Sequence, residues 1–188
     1  VQLTVSEIHD LAKTCLSTNG CDEANAEAVA RTVSTAERDG SESHGLFRVP
    51  GYIASLRSGK VNGKANPQAE MVTPAIIRMN GDEGYTPLAI ERGTPLLAKA
   101  ARELGIAAMG ITNTYHFAAL WPETEALAEQ GLVGMACTAY KPSVAPYGAK
   151  KPLFGTNPLS FAWPRPGKTP LVYDMATAAK ALGLSLIH

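Results

Sequence analysis

The stretch from Gly40 to Ile53 reads GSESHGLFRVPGYI, and the interpretation of the chain starts from it. Within ten residues it carries a hydroxyl (Ser43), a titratable base (His44), a cation (Arg48) and a phenol (Tyr52). Three glycines and a proline surround these side chains, and such a mixture is poor core material. Because helical patterns lie on both sides, the stretch predicts a loop that leads into a helix and carries a candidate site.

Two interpretations of this loop are open from the residues alone. If residues 46–56 are helical, Arg48 and Tyr52 are spaced i, i+4 and lie on one face, with His44 just ahead of it. One surface would then offer a proton donor and a carboxylate clamp together. In the other interpretation, Ser43 is a helix N-cap and His44 is a solvated loop histidine.

The composition is that of a globular protein with no charge excess. The chain has 188 residues, 45% of them hydrophobic, and its 17 basic residues balance 17 acidic ones. A zero net charge argues against a nucleic-acid-binding protein, which usually has a basic surplus. No apolar run approaches the roughly 20 residues of a membrane span, and no signal-peptide pattern precedes the first helix. We expect neither a nucleic acid nor a membrane as partner.

The three cysteines are Cys15, Cys21 and Cys137, and no C-x-x-C motif joins any two of them. An odd and sparse set of cysteines is typical of reduced thiols in a cytoplasmic protein. We therefore expect a cytoplasmic location, no disulfide framework and no metal site.

Residues 1–65 predict an N-terminal helical layer. Thr4–Glu7 has the spacing of a capping box and opens the first helix. The second helix is predicted at Glu23–Arg38 and the third at about Phe47–Ser58, each followed by a glycine. The charged side chains of these helices, including Glu37, are predicted to form a solvated face.

Residues 66–188 predict a mixed α/β domain. Short apolar runs bounded by turn residues alternate with helical patterns, which gives a mixed α/β fold class. A strand, a loop, a helix and a second strand between residues 106 and 138 have the rhythm of a βαβ unit. The predicted strands are residues 75–79, 106–112, 132–138, 158–163 and 171–175, and the predicted helices are 87–103, with a kink or restart at 93–95, and 122–130.

Three further positions are candidate sites with plain structural alternatives. His116 follows an apolar strand, where ligand-handling loops often lie, but it could be a surface histidine. Asp174 ends a strand and could orient a histidine, bind a ribose hydroxyl or only terminate the strand. Gly155–Pro158 could bind an anion or form a turn. Neither G-x-G-x-x-G nor G-x-x-x-x-G-K-[ST] occurs, so a standard Rossmann or P-loop site has no support.

Four motifs together resemble the malate/L-lactate dehydrogenase type 2 family of NAD(P)-dependent oxidoreductases. They occur in family order and at family spacing. Within the family, residues 41–63 are most similar to the Δ1-piperideine-2-carboxylate and Δ1-pyrroline-2-carboxylate reductases. The motifs are Ser43-His44-Gly45 with Arg48 and Gly51-Tyr52, then Asn113–Ala118, Gly155–Pro158 and Asp174–Ala176.

The resemblance implies a non-Rossmann NAD(P)-binding fold, with a helical N-terminal layer and a mostly antiparallel sheet flanked by helices. It implies a homodimer that uses NADPH or NADH and has a small carboxylate substrate. The expected reaction is hydride transfer to C2 of a cyclic 2-imino carboxylate. Two alternatives are a 2-hydroxy-acid dehydrogenase for malate, lactate or ureidoglycolate, and an inactive fragment that acts only as a dimerisation or binding module.

The resemblance also assigns roles to individual residues. Ser43 and His44 match the catalytic pair, Arg48 the ligand of the substrate carboxylate, and Thr156 a substrate contact. His116 is also implied as an acid/base residue in some hydroxy-acid members. The cofactor-binding positions implied are His116, Phe117, Ala118, Ala119, Leu120, Asp174, Met175 and Ala176.

The chain departs from the family pattern at three places. Tyr115 replaces a frequent histidine, and Ala118 replaces a frequent glycine. Family members are longer, and residues 180–188 are expected to stop matching the pattern. We therefore expect a truncated or frame-shifted N-terminal piece, in which residues 66–188 form a partial NAD(P)-binding domain.

Overall fold

The computed structural model describes residues 2–115 and 118–178. The α-helices are α1 (Val5–Ser17), α2 (Glu23–Arg38), α3 (Val49–Arg57), α4 (Thr86–Leu104) and α5 (Trp121–Glu129). Two short 3-10 helices, Glu42–His44 and Leu46–Arg48, lie between α2 and α3. The strands are β1 (Gln68–Thr73), β2 (Ile76–Tyr85), β3 (Ala108–Tyr115), β4 (Gly134–Cys137), β5 (Pro158–Trp163) and β6 (Leu171–Ala176).

The chain divides into two compact units, Val1–Ala118 and Ala119–His188. The helical layer predicted for residues 1–65 is present, and it belongs to the same unit as the first sheet. The division of the chain into domains at residue 65 stays a prediction, since it concerns the family fold.

The helical layer of the first unit follows its capping signals. The Glu7 N–H donates to Thr4 Oγ1 (3.2 Å), and the Thr4 N–H donates to the Glu7 carboxylate (2.7 Å), so the predicted capping box forms. Asp22 caps α2 by accepting the Asn25 N–H at 2.9 Å. The apolar stripes of these helices meet the tyrosines of α3 and β2 in one core. That core includes Ile8, Ala12, Leu16, Ala26, Val29, Val33, Val49, Tyr52 and Tyr85.

The first sheet has the order β1-β2-β3, with β1 antiparallel and β3 parallel to β2. Parallel neighbours need a crossover, and α4 supplies it between β2 and β3. The predicted βαβ unit around residues 106–138 is wrong, because β3 and β4 belong to different sheets. β1 has no counterpart in the sequence prediction. All six of its residues are exposed, so it lacks the alternation that marks a half-buried strand.

Helix α4 runs without interruption through the predicted restart at residues 93–95, with Pro95 inside it. Gly93 lies against the sheet. A Cβ on Gly93 would lie 2.2 Å from the Met109 sulfur on β3, so a larger residue would require the Met109 side chain to move. At this position the glycine contributes to packing and does not break the helix.

The second unit holds an antiparallel sheet of order β4-β5-β6, with α5 packed on one face. Under α5, the hydroxyls of Thr124 and Ser160 lie 2.7 Å apart and both side chains are fully buried. The cross-strand register places only apolar side chains on the opposite face, several of them exposed. That face, called here the open sheet face, consists of Met135, Cys137, Leu159, Phe161, Trp163, Leu171, Tyr173 and Met175.

Three of the four strand pairings are antiparallel, so the expected mixed α/β architecture with a mostly antiparallel arrangement is confirmed. Within residues 2–115 and 118–178, no helix combines the length and the hydrophobicity that a bilayer crossing requires.

Candidate functional site

The loop between α2 and α3 is a pair of 3-10 turns that follow one another directly. The His44 N–H donates to the Ser41 carbonyl (2.8 Å), and the Arg48 N–H donates to the Gly45 carbonyl (2.9 Å). Such tight turns keep residues three apart on nearly the same side. The local hydrogen bonds therefore bring the hydroxyl, imidazole and guanidinium groups of the loop together.

Two hydroxyls hold the imidazole of His44 from one side. Its Nδ1 lies 3.0 Å from Ser43 Oγ and 3.3 Å from Ser41 Oγ, and all three residues are half-buried. The predicted Ser43–His44 pair is therefore in contact. Ser41 was missed by sequence reasoning, although its i, i+3 spacing from His44 is the spacing that a 3-10 turn brings together.

Arg48 is anchored to the same loop through one part of its guanidinium. Its Nε donates to the Ser43 carbonyl at 2.6 Å, and the guanidinium carbon lies 5.9 Å from the centre of the Phe47 ring. Among the described residues, no protein acceptor bonds the two terminal amino groups of Arg48. A half-buried arginine held by Nε presents those groups as a planar pair, which suits a carboxylate.

Tyr52 does not share the site surface with Arg48, as the helical spacing had suggested. Its side chain is only 2% exposed and packs edge-on against Tyr85, with ring centres 5.0 Å apart. The Tyr85 hydroxyl donates to the Tyr52 carbonyl at 2.6 Å, and burial raises the pKa of the Tyr52 phenol. Tyr52 belongs to the core because it packs with Tyr85 of β2 and with the apolar side chains of α1 and α2.

Glu37 does not lie on a solvated face as predicted. Its carboxylate accepts the Leu46 N–H at 2.7 Å, and the side chain is half-buried. A Cβ on Gly45 would lie 2.1 Å from Glu37 Oε1, so the glycine is needed for this approach. The position of Glu37 in the last turn of α2, just before the loop, was the only local signal.

In the second unit, Asp174 joins two segments predicted to bind a cofactor. Its Oδ2 accepts the N–H groups of Leu120 (2.8 Å) and Trp121 (3.0 Å), which are among the first backbone donors at the start of α5. Ala119 and Leu120 are buried beside this contact, whereas Met175 lies on the open sheet face. The aspartate therefore caps α5 from the end of β6.

A second carboxyl group lies near Asp174. Glu123, in the first turn of α5, is half-buried as a residue, and burial is the main influence on its carboxyl group. This burial and the negative charge of Asp174 raise the pKa of Glu123 to about 8. The Glu123 carboxyl group at the N-terminal end of α5 is therefore protonated at neutral pH.

Thr156 lies in a turn that is held on both sides. The Thr177 N–H donates to its carbonyl (3.1 Å), and the Tyr140 N–H donates to Asn157 Oδ1 (3.1 Å). Asn157 adopts a φ of 41°, a left-handed conformation that asparagine tolerates well. The half-buried Thr156 hydroxyl has no hydrogen-bond partner in the described part of the chain, so it can meet a ligand.

The predicted site residues fall into groups that belong to different units. Ser43, His44 and Arg48 are together in the first unit, and Asp174 is hydrogen-bonded to the backbone of Leu120 and Trp121 in the second. Ala176 is half-buried at the end of β6, and Ala118 is half-buried just before the second unit. His116 and Phe117 lie outside the described residues, so their predicted roles stay predictions.

Comparison with known proteins adds an independent line of evidence. Residues 3–188 match the family described as Malate/L-lactate dehydrogenase. The predicted end of the resemblance at residue 180 is therefore wrong, since the match continues to residue 188. The chain is 43% identical to the Δ1-pyrroline-2-carboxylate reductase of Pseudomonas fluorescens over 188 residues. The match covers 100% of this chain and 56% of that protein.

Two solved structures resemble the fold. The Δ1-piperideine-2-carboxylate reductase from Pseudomonas syringae superposes with a TM-score of 0.95 at 42% identity, covering 100% of this chain and 57% of that one. The malate dehydrogenase from Pyrococcus horikoshii gives 0.90 at 29% identity, covering 98% and 53%. The chain thus spans little more than half the length of these relatives. By sequence and by fold, the chain belongs to the malate/L-lactate dehydrogenase family.

Proposed function

We propose that the protein is an NAD(P)H-dependent oxidoreductase that reduces a small cyclic 2-imino carboxylate of the Δ1-pyrroline-2-carboxylate or Δ1-piperideine-2-carboxylate kind. The observation that carries the proposal is the loop that presents His44, braced by two hydroxyls, beside the amino groups of Arg48. The names of the reductases from Pseudomonas fluorescens and Pseudomonas syringae support the substrate class.

The chemistry requires a proton at the imine nitrogen and a fixed carboxylate. When C2 accepts a hydride, the electron pair of the C=N bond moves to nitrogen, which takes a proton and becomes a secondary amine. His44 supplies that proton through Nε2, because Nδ1 faces the hydroxyls of Ser43 and Ser41. An imidazole with an ordinary pKa of about 6.5 suits this role near neutral pH.

In the first unit, Arg48 would orient the substrate. Its two amino groups would hold the substrate carboxylate in a bidentate pair, which fixes the reacting carbon. For the second unit, the motif resemblance implies a substrate contact by Thr156, and this role stays a proposal. Ser43 contributes twice in this arrangement: its hydroxyl braces His44 and its carbonyl anchors Arg48.

One contact supports a nicotinamide dinucleotide site in the second unit. Asp174 accepts the N–H groups of Leu120 and Trp121, so the two segments predicted to contact the cofactor, which end at Leu120 and begin at Asp174, are hydrogen-bonded to each other. We propose that Ala118–Leu120 and Asp174–Ala176, with His116 and Phe117, contact the dinucleotide, which is NADPH or NADH. When bound, the reduced nicotinamide supplies the hydride for C2.

We also propose that the protein acts as a homodimer in the cytoplasm, on the strength of the motif resemblance. A 2-hydroxy-acid dehydrogenase is the second candidate, and the fold similarity to the malate dehydrogenase from Pyrococcus horikoshii favours it. In that reaction His44 would remove a proton from the hydroxyl group. A dimerisation or binding module without activity is the remaining alternative.

The deciding experiment assays the complete gene product that contains these 188 residues. NADPH and NADH consumption is measured with Δ1-pyrroline-2-carboxylate and Δ1-piperideine-2-carboxylate, and cofactor reduction with malate, lactate and ureidoglycolate. We expect the imine acids to have the highest kcat/KM. His44→Asn should lower kcat by about 10²- to 10⁴-fold, the usual contribution of a general acid, while cofactor still binds.

The matched control is His9→Asn, which changes a histidine that contacts Asp10 and Glu27 on the helical layer. Its kcat should equal that of the unmodified protein. Preferential turnover of a hydroxy acid would replace the proposal by the second candidate. Cofactor binding without turnover of any of the five acids would contradict both enzymatic readings and favour the binding module.

A further inference from the structure

We propose that Glu37 is a positioning residue for the reaction, acting by holding the loop that presents His44. The proposal rests on the proposed function for its kinetic consequence, but its structural part can be tested without activity. Glu37 belongs to α2 and touches neither Ser43 nor the reacting groups by any hydrogen bond of the described residues. Its effect must therefore pass through the backbone of the loop.

The loop of residues 41–46 is held at both ends by neighbouring residues of α2. At its start, the Ser41 N–H donates to the Ala36 carbonyl at 2.8 Å. At its end, the Leu46 N–H donates to the Glu37 carboxylate at 2.7 Å. Ala36 and Glu37 are consecutive in the last turn of α2, so the helix sets both ends of the loop.

The bond to Leu46 has the features of a strong one. The Leu46 N–H opens the second 3-10 helix, where the first backbone donors have no partner within the helix. A carboxylate that accepts a backbone N–H forms a charge-assisted bond, shorter and stronger than one between neutral groups. Both residues are half-buried, so water competes less for the donor.

Gly45 makes this contact sterically specific. Any Cβ at that position would overlap the end of the Glu37 side chain, at 2.1 Å from Oε1 and 2.4 Å from Cδ. Gly45 is also buried. It lies between the two 3-10 helices, where its non-helical ψ of −138° ends the first and begins the second. A side chain here would have to displace the Glu37 carboxylate from Leu46.

The consequence for His44 follows from its place in the chain. It precedes Gly45 directly, and its contact with Ser41 spans the three residues that the first 3-10 turn brings together. If the Leu46 end is released, the turn can open and the imidazole loses its fixed position. A misplacement of about 1 Å can lower a rate by on the order of 10²-fold.

The experiment compares four variants of the complete gene product. Glu37→Ala removes the acceptor, whereas Glu37→Gln retains an oxygen that can accept the Leu46 N–H. Gly45→Ala displaces the carboxylate sterically, and Glu42→Ala is the matched control, since Glu42 is an exposed carboxylate on the same loop. The readouts are kcat, KM for the acid, cofactor affinity, amide exchange of Leu46 and the ¹⁵N signal of His44 Nδ1.

We expect Glu37→Ala to lower kcat by about 10- to 100-fold with unchanged cofactor affinity, and to speed Leu46 exchange by about the same factor. The Nδ1 signal should move toward that of a solvated imidazole. Glu37→Gln should restore most of each property, and Glu42→Ala should change none. Gly45→Ala should reproduce the effect of Glu37→Ala, and the double variant should be no worse than either, because both remove one interaction.

Three results would overturn the proposal. The first is that Leu46 exchange and the His44 signal stay unchanged in Glu37→Ala. The second is that Glu37→Gln fails to restore them. The third is that the effects of Glu37→Ala and Gly45→Ala add fully in the double variant. Circular dichroism checks that each variant is folded, and Gly45→Ala tests the same contact if Glu37→Ala does not fold. If the unmodified protein reduces none of the acids, the function is wrong, but the exchange and ¹⁵N data still decide the role of Glu37.

Discussion

At the scale of single residues, the site depends on hydrogen bonds made by side chains and by backbone groups, and Ser43 contributes both kinds. Ser43 braces His44 with its hydroxyl and anchors Arg48 with its carbonyl. The imidazole and the guanidinium are therefore fixed relative to each other by one residue. Replacement of any member should disturb the others, so their effects on activity should not be additive.

The Nε bond of Arg48 leads to a prediction for Arg48→Lys. A lysine ammonium can bond the Ser43 carbonyl or meet a substrate carboxylate, but it cannot offer a planar pair of donors while anchored. We expect KM for the substrate acid to rise about 10- to 100-fold, with a smaller loss in kcat. Arg57→Lys, in the last turn of α3, is the control. Steady-state kinetics of the complete gene product checks this, and an unchanged KM would remove Arg48 from the proposed clamp.

At the scale of elements, the ends of helices and strands carry the candidate functions. The N-cap residue of α5, Leu120, makes no side-chain cap, and Asp174 from β6 caps the helix. The same carboxylate faces the buried carboxyl of Glu123, whose pKa is raised to about 8. The stability of the second unit should therefore depend on pH through the carboxyl group of Glu123 at the start of α5.

The sign of this response follows from the two states of Glu123. In the unfolded chain its carboxyl releases its proton near pH 4.5, whereas the folded protein keeps it until about pH 8. The folded state binds more protons in this window, so stability should fall as pH rises from about 4.5 to 8 and then level off. Glu123→Gln, which cannot ionise, should abolish the fall and be relatively more stable above pH 8.

Urea unfolding at pH 5, 6.5 and 8.5, followed by tryptophan fluorescence, measures this effect. Both tryptophans, Trp121 and Trp163, lie in the second unit, so the signal reports on that unit. Glu129→Gln serves as control. It makes the same change of charge in α5, but at an exposed residue at the other end of the helix. Equal pH dependence of the unmodified protein and Glu123→Gln would contradict the raised pKa.

At the scale of the whole molecule, the exposure of apolar side chains on the open sheet face is not explained by the described part of the second unit. Met135 is 69% exposed and Leu171 57% exposed, and both lie among apolar neighbours on adjacent strands. Soluble monomers rarely leave contiguous apolar patches larger than about 300–600 Å². This chain also spans little more than half the length of the relatives it matches.

We therefore predict that the 188-residue chain binds the hydrophobic dye ANS through this face. The double variant Met135→Lys, Leu171→Lys should lose most of the dye fluorescence, because two charges interrupt the apolar surface. Ile106→Lys is the control, since Ile106 is 77% exposed but lies in the first unit. A dye signal that the double variant leaves unchanged would show that the face is covered in solution.

The amino-acid sequence by itself determined the local elements and the family. The capping box at Thr4–Glu7 and the strand Pro158–Trp163 were predicted correctly, because caps and alternation act within four residues. The pairing of Ser43 with His44 and the kinship with the malate/L-lactate dehydrogenase family were also predicted, since short motifs carry both.

Only the tertiary structure decided which distant residues meet. The Asp174 cap of α5 joins positions 54 residues apart, and the bond of Glu37 to Leu46 depends on how α2 ends and the loop turns back. Tyr52 was expected on the site surface, but it lies in the core because Tyr85 of β2 packs against it. Periodicity in a sequence records which face of an element is apolar, but not which element covers that face. These contacts depend on the packing of whole elements, and no local pattern encodes that packing.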